Sequence, residues 1–398
     1  MQKKRTLLFL HHRVISPVKE FIQDSRAVGI TLIVCTIVSL FISNSRYTSA
    51  YTAFWERHLQ MPLPELHLPH TPLHLINDAL MSVFFLLVGL EIKRELLVGE
   101  LASVRKSMLP VAAALGGMVV PVVIFLLWCG GTPYESGWGI PMATDIAFSL
   151  GVLSLLGNRV PVSLKIFLTA LAIIDDLGGI LMIAIFYAGA INWLYLLLAG
   201  GMMLILTMMN ILKVKRYFLY FIPGVILWYL VFNSGVHATI AGVLLAFTIP
   251  LHKIEDLEHS LHHPVNFIIL PLFALANTAI MLPADFSIVL QSKLNYGVLS
   301  GLVLGKPIGI FLFSLAAIKL NIAERAKEIN NNSLLGTGIL AGIGFTMSIF
   351  ITTLAFDDTS AQLIAKLSIL LASFTAGTSG YLFLLLGSKK QSIITASK

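Results

Sequence analysis

GWGIPMATDIAFSLG, residues 137–151, and VSLKIFLTALAIIDDLGGILMIAIFY, residues 162–187, are each apolar enough to enter a bilayer, yet together they carry Asp145, Asp175 and Asp176. An ionised Asp at mid-membrane costs at least about 2.5 kcal/mol. Three carboxylates in such segments therefore imply a protein-lined cavity and a function performed there, and the transport of a cation is the simplest one. The fold class follows from the same stretch: an all-α integral membrane protein.

The rest of the chain agrees. Of its 398 residues 57% are hydrophobic and 12% charged, with a mean hydropathy of +0.87, far too apolar for a soluble globule of this length. The two cysteines, Cys35 and Cys129, are too few for a disulfide framework or a zinc site. The net charge of +7 is spread through short loops as topology signals rather than gathered into a nucleic-acid-binding surface. No cofactor motif stands out, and no nucleotide-binding loop of the kind a primary pump needs is present.

Windows of about 20 apolar residues predict twelve spans, near 27–43, 76–97, 108–128, 138–156, 162–188, 192–211, 217–233, 235–250, 264–282, 294–317, 333–354 and 361–386. Of the 27 Lys and Arg, only Arg46, Arg57 and Lys293 fall in the loops opposite the termini, with Lys306 and Lys366 inside spans. Both termini are therefore expected in the cytoplasm. The organisation reads as a cytoplasmic amino-terminal segment 1–26, a membrane domain 27–386 and a cytoplasmic tail 387–398. Four prolines, Pro62, Pro64, Pro69 and Pro72, argue against regular helix in the external segment 44–75. The histidines scattered there read as solvated rather than as metal ligands.

Pro141 cannot donate a backbone hydrogen bond and disfavours helix at Ile140, so the fourth span is expected to break near Ala143, Thr144 and Asp145. Gly336, Gly338, Gly342 and Gly344 punctuate the eleventh in the same way. Interrupted hydrophobic segments in corresponding halves point to a transporter's binding site. Facing half-helix ends carry about half a charge each. Asp145 is placed to offset positive ends, and Lys306 to offset negative ones or to pair with an aspartate. Gly178 and Gly179 suggest a close backbone approach beside the aspartate pair.

Asp175 and Asp176, neighbours on one helix, point about 100° apart: one can face a water-filled funnel while the other faces a neighbouring helix. A hard cation such as Na⁺ takes oxygen ligands, and a carboxylate, the Thr144 hydroxyl and freed carbonyls supply them. A site that binds either protons or a cation needs only alternating access to exchange one for the other. Two other classes compete. A cation channel would assemble its filter from rings in identical subunits, and proton coupling separates it from an exchanger. An intramembrane aspartyl protease would need two aspartates from different helices, which Asp175 and Asp176 alone cannot provide. His237 reads as a packing histidine, and Asp78 as a helix-start residue.

At these residues the chain resembles the NhaA family of bacterial sodium/proton antiporters. The motifs are Ala143-Thr-Asp-Ile-Ala-Phe148, Leu171-Ala-Ile-Ile-Asp-Asp-Leu-Gly178, Asn77-Asp-Ala-Leu-Met81, Val88-Gly-Leu-Glu-Ile-Lys-Arg-Glu-Leu96, Ser234-Gly-Val-His-Ala-Thr239, Leu304-Gly-Lys-Pro307 and Gly342-Ile-Gly-Phe-Thr-Met-Ser348. The family is itself a known example of inverted-repeat transporters, so the resemblance implies twelve helices in inverted repeats with two broken helices crossing at mid-membrane. It further implies that Asp176 is the main ligand for Na⁺ or Li⁺, with Asp175 its partner, Thr144 and Asp145 in the unwound stretch, and Lys306 compensating charge beside Asp175. The implied activity is electrogenic exchange of external H⁺ for cytoplasmic Na⁺ or Li⁺ across the bacterial inner membrane, by a transporter and not an enzyme.

The resemblance also implies shutdown at acidic pH through Glu91, Arg94, Glu95, Glu258, His259 and His262. Glu91 and Glu95 share a helix face at i,i+4, Glu258 and His262 repeat that spacing, and histidine titrates in the right range. Relatives pair into a homodimer through an external β-hairpin. Here the Pro-rich segment stands in that place.

Overall fold

The computed structural model describes residues 25–59, 68–214, 216, 218–326 and 328–396. The expected amino-terminal segment lies almost wholly outside them, as do Pro62, Pro64 and His67. Every regular element among the described residues is helical. In chain order these are α1 (Ser25–Ser43), α2 (Thr48–Glu56), α3 (Pro72–Leu97), α4 (Val104–Cys129), a 3₁₀ segment (Glu135–Met142), α5 (Ile146–Leu155), α6 (Val162–Phe186) and α7 (Trp193–Ile211). There follow α8 (Phe218–Phe232), α9 (Ile240–Thr248), α10 (Ile254–Pro264), α11 (Leu270–Asn277), α12 (Ser287–Leu290), α13 (Lys293–Lys319), α14 (Asn331–Ala341), α15 (Phe345–Ala355) and α16 (Thr359–Ala396).

Among the described residues, eight of these stretches are long and apolar enough to cross a membrane, or nine with α14 and α15 as one span bent by 46°. Large apolar side chains such as Phe41, Leu127, Trp193 and Phe374 are exposed on the outside, as in a multi-pass membrane protein whose outer surface meets lipid. Of the other three expected spans, two are short and one is charged at its start. α8 has 15 residues and α9 only 9, about 14 Å of helix against a hydrocarbon core of about 30 Å. The third runs continuously from the charged α10 through a π turn, Val265–Ile269, into α11.

Three details differ from the sequence expectation. The external segment contains a helix, α2, because its prolines all lie beyond residue 56; Pro72 then opens α3 at the helix start, where its missing N–H is no loss. α16 continues past residue 386 to Ala396. The close backbone approach is not at Gly178, where a Cβ would meet only the flexible Met118 side chain, nor at Gly179, where it would meet nothing. It occurs instead between α4 and α13, the most extensive helix pair in the molecule. There Gly116 and Gly309 face one another so closely that a Cβ on either would strike the other's carbonyl. Small residues let backbones approach where lipid supplies no hydrophobic drive. The seam fixes α13 one turn beyond Lys306.

Three π turns, Leu75–Leu80, Val265–Ile269 and Gly301–Gly305, interrupt otherwise α-helical runs. Such turns concentrate at functional sites. The third ends immediately before Lys306.

Gly309→Ala should lower stability by about 1–3 kcal/mol through overpacking, read as a fall in the thermal unfolding midpoint in detergent. Gly200→Ala, at a helical position with open space around it, should leave that midpoint within error.

Candidate ion site at the helix interruptions

The backbone leaves the helical conformation between Met142 and Ile146 and again between Ala341 and Phe345, and the two interruptions are bonded to each other. Asp145 N donates to Ile343 O (2.7 Å), Thr144 Oγ1 to Ala341 O (3.0 Å), and Ser149 Oγ to Leu340 O (3.1 Å). In the opposite sense Ser348 Oγ donates to Ile140 O (2.8 Å). Groups that a helix break leaves without partners thus find them across the crossing, which apolar surroundings require.

Asp145 and Lys306 complete the scheme with charge. Asp145 Oδ1 accepts from Phe148 N (2.9 Å) at the start of α5, while Oδ2 accepts from Thr346 N (3.1 Å) and Thr346 Oγ1 (2.5 Å) at the start of α15. One carboxylate therefore faces two helix N-termini, where negative charge is favoured. Lys306 Nζ donates to Met142 O (2.6 Å), the last carbonyl of the 3₁₀ segment, to Asp175 Oδ2 (2.5 Å), and to Thr144 Oγ1. Lys306, Thr144, Asp145, Asp175 and Asp176 are all 0–3% exposed.

Asp175 and Asp176 diverge as neighbours on a helix must. Asp175 turns to Lys306, with Oδ1 left buried and unpartnered. Asp176 joins none of these bonds and lines a cavity of about 360 Å³ together with Asp145, Thr346, Thr169, Glu91 and Arg94. His262 and Asn266 close its far end. The cavity runs from Asp176 toward the ends of α3 and α10. Phe350 belongs to an aromatic cluster, 5.5 Å from Phe85, 6.3 Å from Phe273 and 5.3 Å from the His237 ring.

At the mouth, Arg94 bonds Glu258 (3.0 and 3.2 Å) and Glu95 (2.9 Å), and His262 Nε2 lies 3.3 Å from Glu91 Oε1. His259 does not join them; it sits exposed beside His263, their rings 6.3 Å apart. Burial pushes the Glu258 carboxyl up, with Arg94 opposing. Burial, then the neighbouring histidines and Arg94, push His262 down from its ordinary value. Asp78 and His237 lie elsewhere, His237 Nε2 3.5 Å from Asp78 Oδ1 near the start of α3, with Trp228 Nε1 on Asp78 O (3.0 Å).

Thr346 and Asn266 were not among the sequence candidates. Thr346 sits in the quoted Gly342–Ser348 motif, and its place at the start of a helix following glycines was the available signal. Asn266 had none, because its orientation depends on the π turn at Val265–Ile269.

The family model described as Na⁺/H⁺ antiporter 1 matches residues 19–384. The chain belongs to that family. It is 48% identical to the Na⁺/H⁺ antiporter NhaA of Cytophaga hutchinsonii, over 94% of this chain and 96% of the relative. It is 50% identical to that of Flavobacterium psychrophilum over 91% and 94%, and 46% identical to that of Cronobacter sakazakii over 93% and 98%. Membership places the chain among NhaA transporters and not among enzymes, which removes the protease alternative.

Removing one partner of a buried ion pair leaves the other charge uncompensated. Lys306→Met should therefore destabilise the protein by about 3–5 kcal/mol. The double variant Asp175→Leu/Lys306→Met should regain much of that loss, measured as thermal unfolding of both proteins in the same detergent.

Proposed function

We propose that this protein exchanges Na⁺ or Li⁺ for H⁺ at Asp176, by alternating access and electrogenically, extruding cytoplasmic Na⁺ across the bacterial inner membrane. The observation that carries the reading is the cavity that reaches Asp176: Asp175 is held by Lys306 and Asp145 by two helix starts, whereas the Asp176 carboxylate is engaged by neither and lines a polar path. All twelve predicted segments are read as crossing the bilayer, the short ones among their neighbours, with the two interruptions at mid-membrane and both termini cytoplasmic.

The chemistry is competition. A carboxylate in a desolvated pocket holds either a proton or a cation, and each arrival expels the other. Na⁺ wants several hard oxygens; Asp176 supplies the first, and Asp175 and Thr144 the next. Both are engaged by Lys306, so their joining the ion requires the ammonium to let go. Cation binding is thereby tied to a rearrangement at the crossing. Asp145 is already satisfied by two helix starts and acts as a fixed counter-charge. A second copy of the chain is the protein partner the resemblance implies; Leu59 N on His70 O (2.8 Å) draws together the ends of the external segment where such a contact would form.

The mouth cluster is read as the pH-responsive element. With His262 held below its ordinary value of 6.5, this closed arrangement of α3 and α10 binds fewer protons at that ring than a rearranged one. It is therefore favoured as pH rises through that range and opposed as pH falls below it. Glu258, held above its ordinary value, acts in the opposite sense in the more acidic range.

Dye dequenching in everted vesicles should show Na⁺- and Li⁺-dependent proton movement with the parent and none with Asp176→Asn. No response to either cation from folded parent protein between pH 6.5 and about 8.5, spanning the histidine range, would sink the reading. His262→Gln should keep transport but make its acid-side decline shallower; an unchanged profile would remove His262 from the pH response.

A further inference from the structure

Lys93 lies between Glu91 and Arg94 in the sequence, but one residue along a helix turns a side chain by about 100°, and it faces away from their cluster. It is buried, 7% exposed. Among the described residues its ammonium meets no carboxylate: Nζ donates to Phe247 O (2.8 Å) and Ile249 O (2.5 Å), at the C-terminal end of α9. The carbonyl between them, Thr248 O, accepts from Asn210 Nδ2 of α7 (2.8 Å). Three consecutive carbonyls that no helical N–H can serve are thus held by side chains from two other helices. Pro250 is why they are free, since it holds Ile249 extended (ψ 134°) and stops α9 there. A buried cation at a helix C-terminus is favourably placed.

The chain beyond Ile249 gives this clamp its consequence. After Pro250 and a single 3₁₀ turn, Leu251–Lys253, it enters α10 at Ile254, which is fully buried. α10 presents Glu258 to Arg94 and His262 to Glu91. The same end of α3 therefore grips the chain before α10 through Lys93 and α10 itself through Glu91 and Arg94.

We propose that Lys93 is a positioning residue that sets how α10 sits against α3, and through it the pH response of transport, without touching the ion. This rests on the antiport reading above. The titratable and charged groups that meet across the interface are Glu91, Arg94 and Glu95 of α3, with Glu100 following. From α10 they are Glu258, which Arg94 bonds, and His262, which meets Glu91; Glu255, His259 and His263 lie exposed on the same helix. Lys93 keeps these two sets in register.

The test uses the full-length chain in everted vesicles, with Lys93→Met and Lys93→Arg beside the parent. Two quantities are read: Na⁺-driven proton movement against pH with the Na⁺ KM at the optimum, and the rate of tryptic cleavage after Lys253. Lys93→Met should shift the pH profile, with several-fold lower activity at the parent's half-activation pH. Its KM at the optimum should be unchanged and its cleavage faster, and Lys93→Arg should restore both. A profile and cleavage rate superimposable on the parent's would overturn the proposal, as would a changed KM on an unshifted profile. If Lys93→Met does not accumulate, Asn210→Ala loosens the same carbonyls and should produce the same shift in the same direction. A parent without cation-dependent proton movement would count against antiport itself, while the cleavage rates would still judge Lys93.

Discussion

A fully buried lysine organises the centre of this molecule. It is Lys306, and a buried charge persists only where pairing and hydrogen bonds replace its hydration. Its three acceptors come from separate places: a carbonyl at the end of the 3₁₀ segment, the Thr144 hydroxyl in the first interruption, and Asp175 on α6. Each acceptor is useful only if its backbone is held in place. The crossing of the two interrupted segments, the π turn before Lys306 and the glycine seam along α13 all follow from that demand. Asp145 answers it with the opposite sign, lying between two helix starts instead of a helix end.

Rigidity on one side of the crossing is matched by space on the other. Along α4 and α13 the backbones touch through Gly116 and Gly309, whereas between α3, α6 and α10 a cavity reaches Asp176. A tightly bonded centre thus adjoins a cavity lined in part by polar side chains. In the exchange proposed above, the groups that change are those bridging the crossing and those holding α10 to α3.

Asp175 and Asp176 show how adjacent residues acquire separate roles. Helical geometry alone sends them apart, so one carboxylate meets Lys306 and the other meets the cavity. In the same way Lys93, Arg94 and Glu95 divide among α9, α10 and the turn after α3. Short helical runs dense in charge are economical for this reason: three successive positions address three different neighbours.

Much of this was legible in the chain. Carboxylates in apolar segments announced a buried polar centre among apolar helices, because the cost of placing them in lipid is a local property of the residues. Pro141 and the glycines of 336–344 located the interruptions, because backbone restrictions act within a residue or two. The i,i+4 spacing of the charges marked the mouth cluster, though not that His259 would face away from it. What tertiary structure alone decided was everything set by which helices meet. It placed the close glycine contact at Gly116 and Gly309 instead of Gly178 and Gly179, put Thr346 on Asp145, turned Asn266 into the cavity, and gave Lys93 carbonyls for partners. A sequence records which groups must be satisfied; the distant partners of Lys93, Asp145 and Lys306 lie 131 to 201 residues away and are chosen by packing.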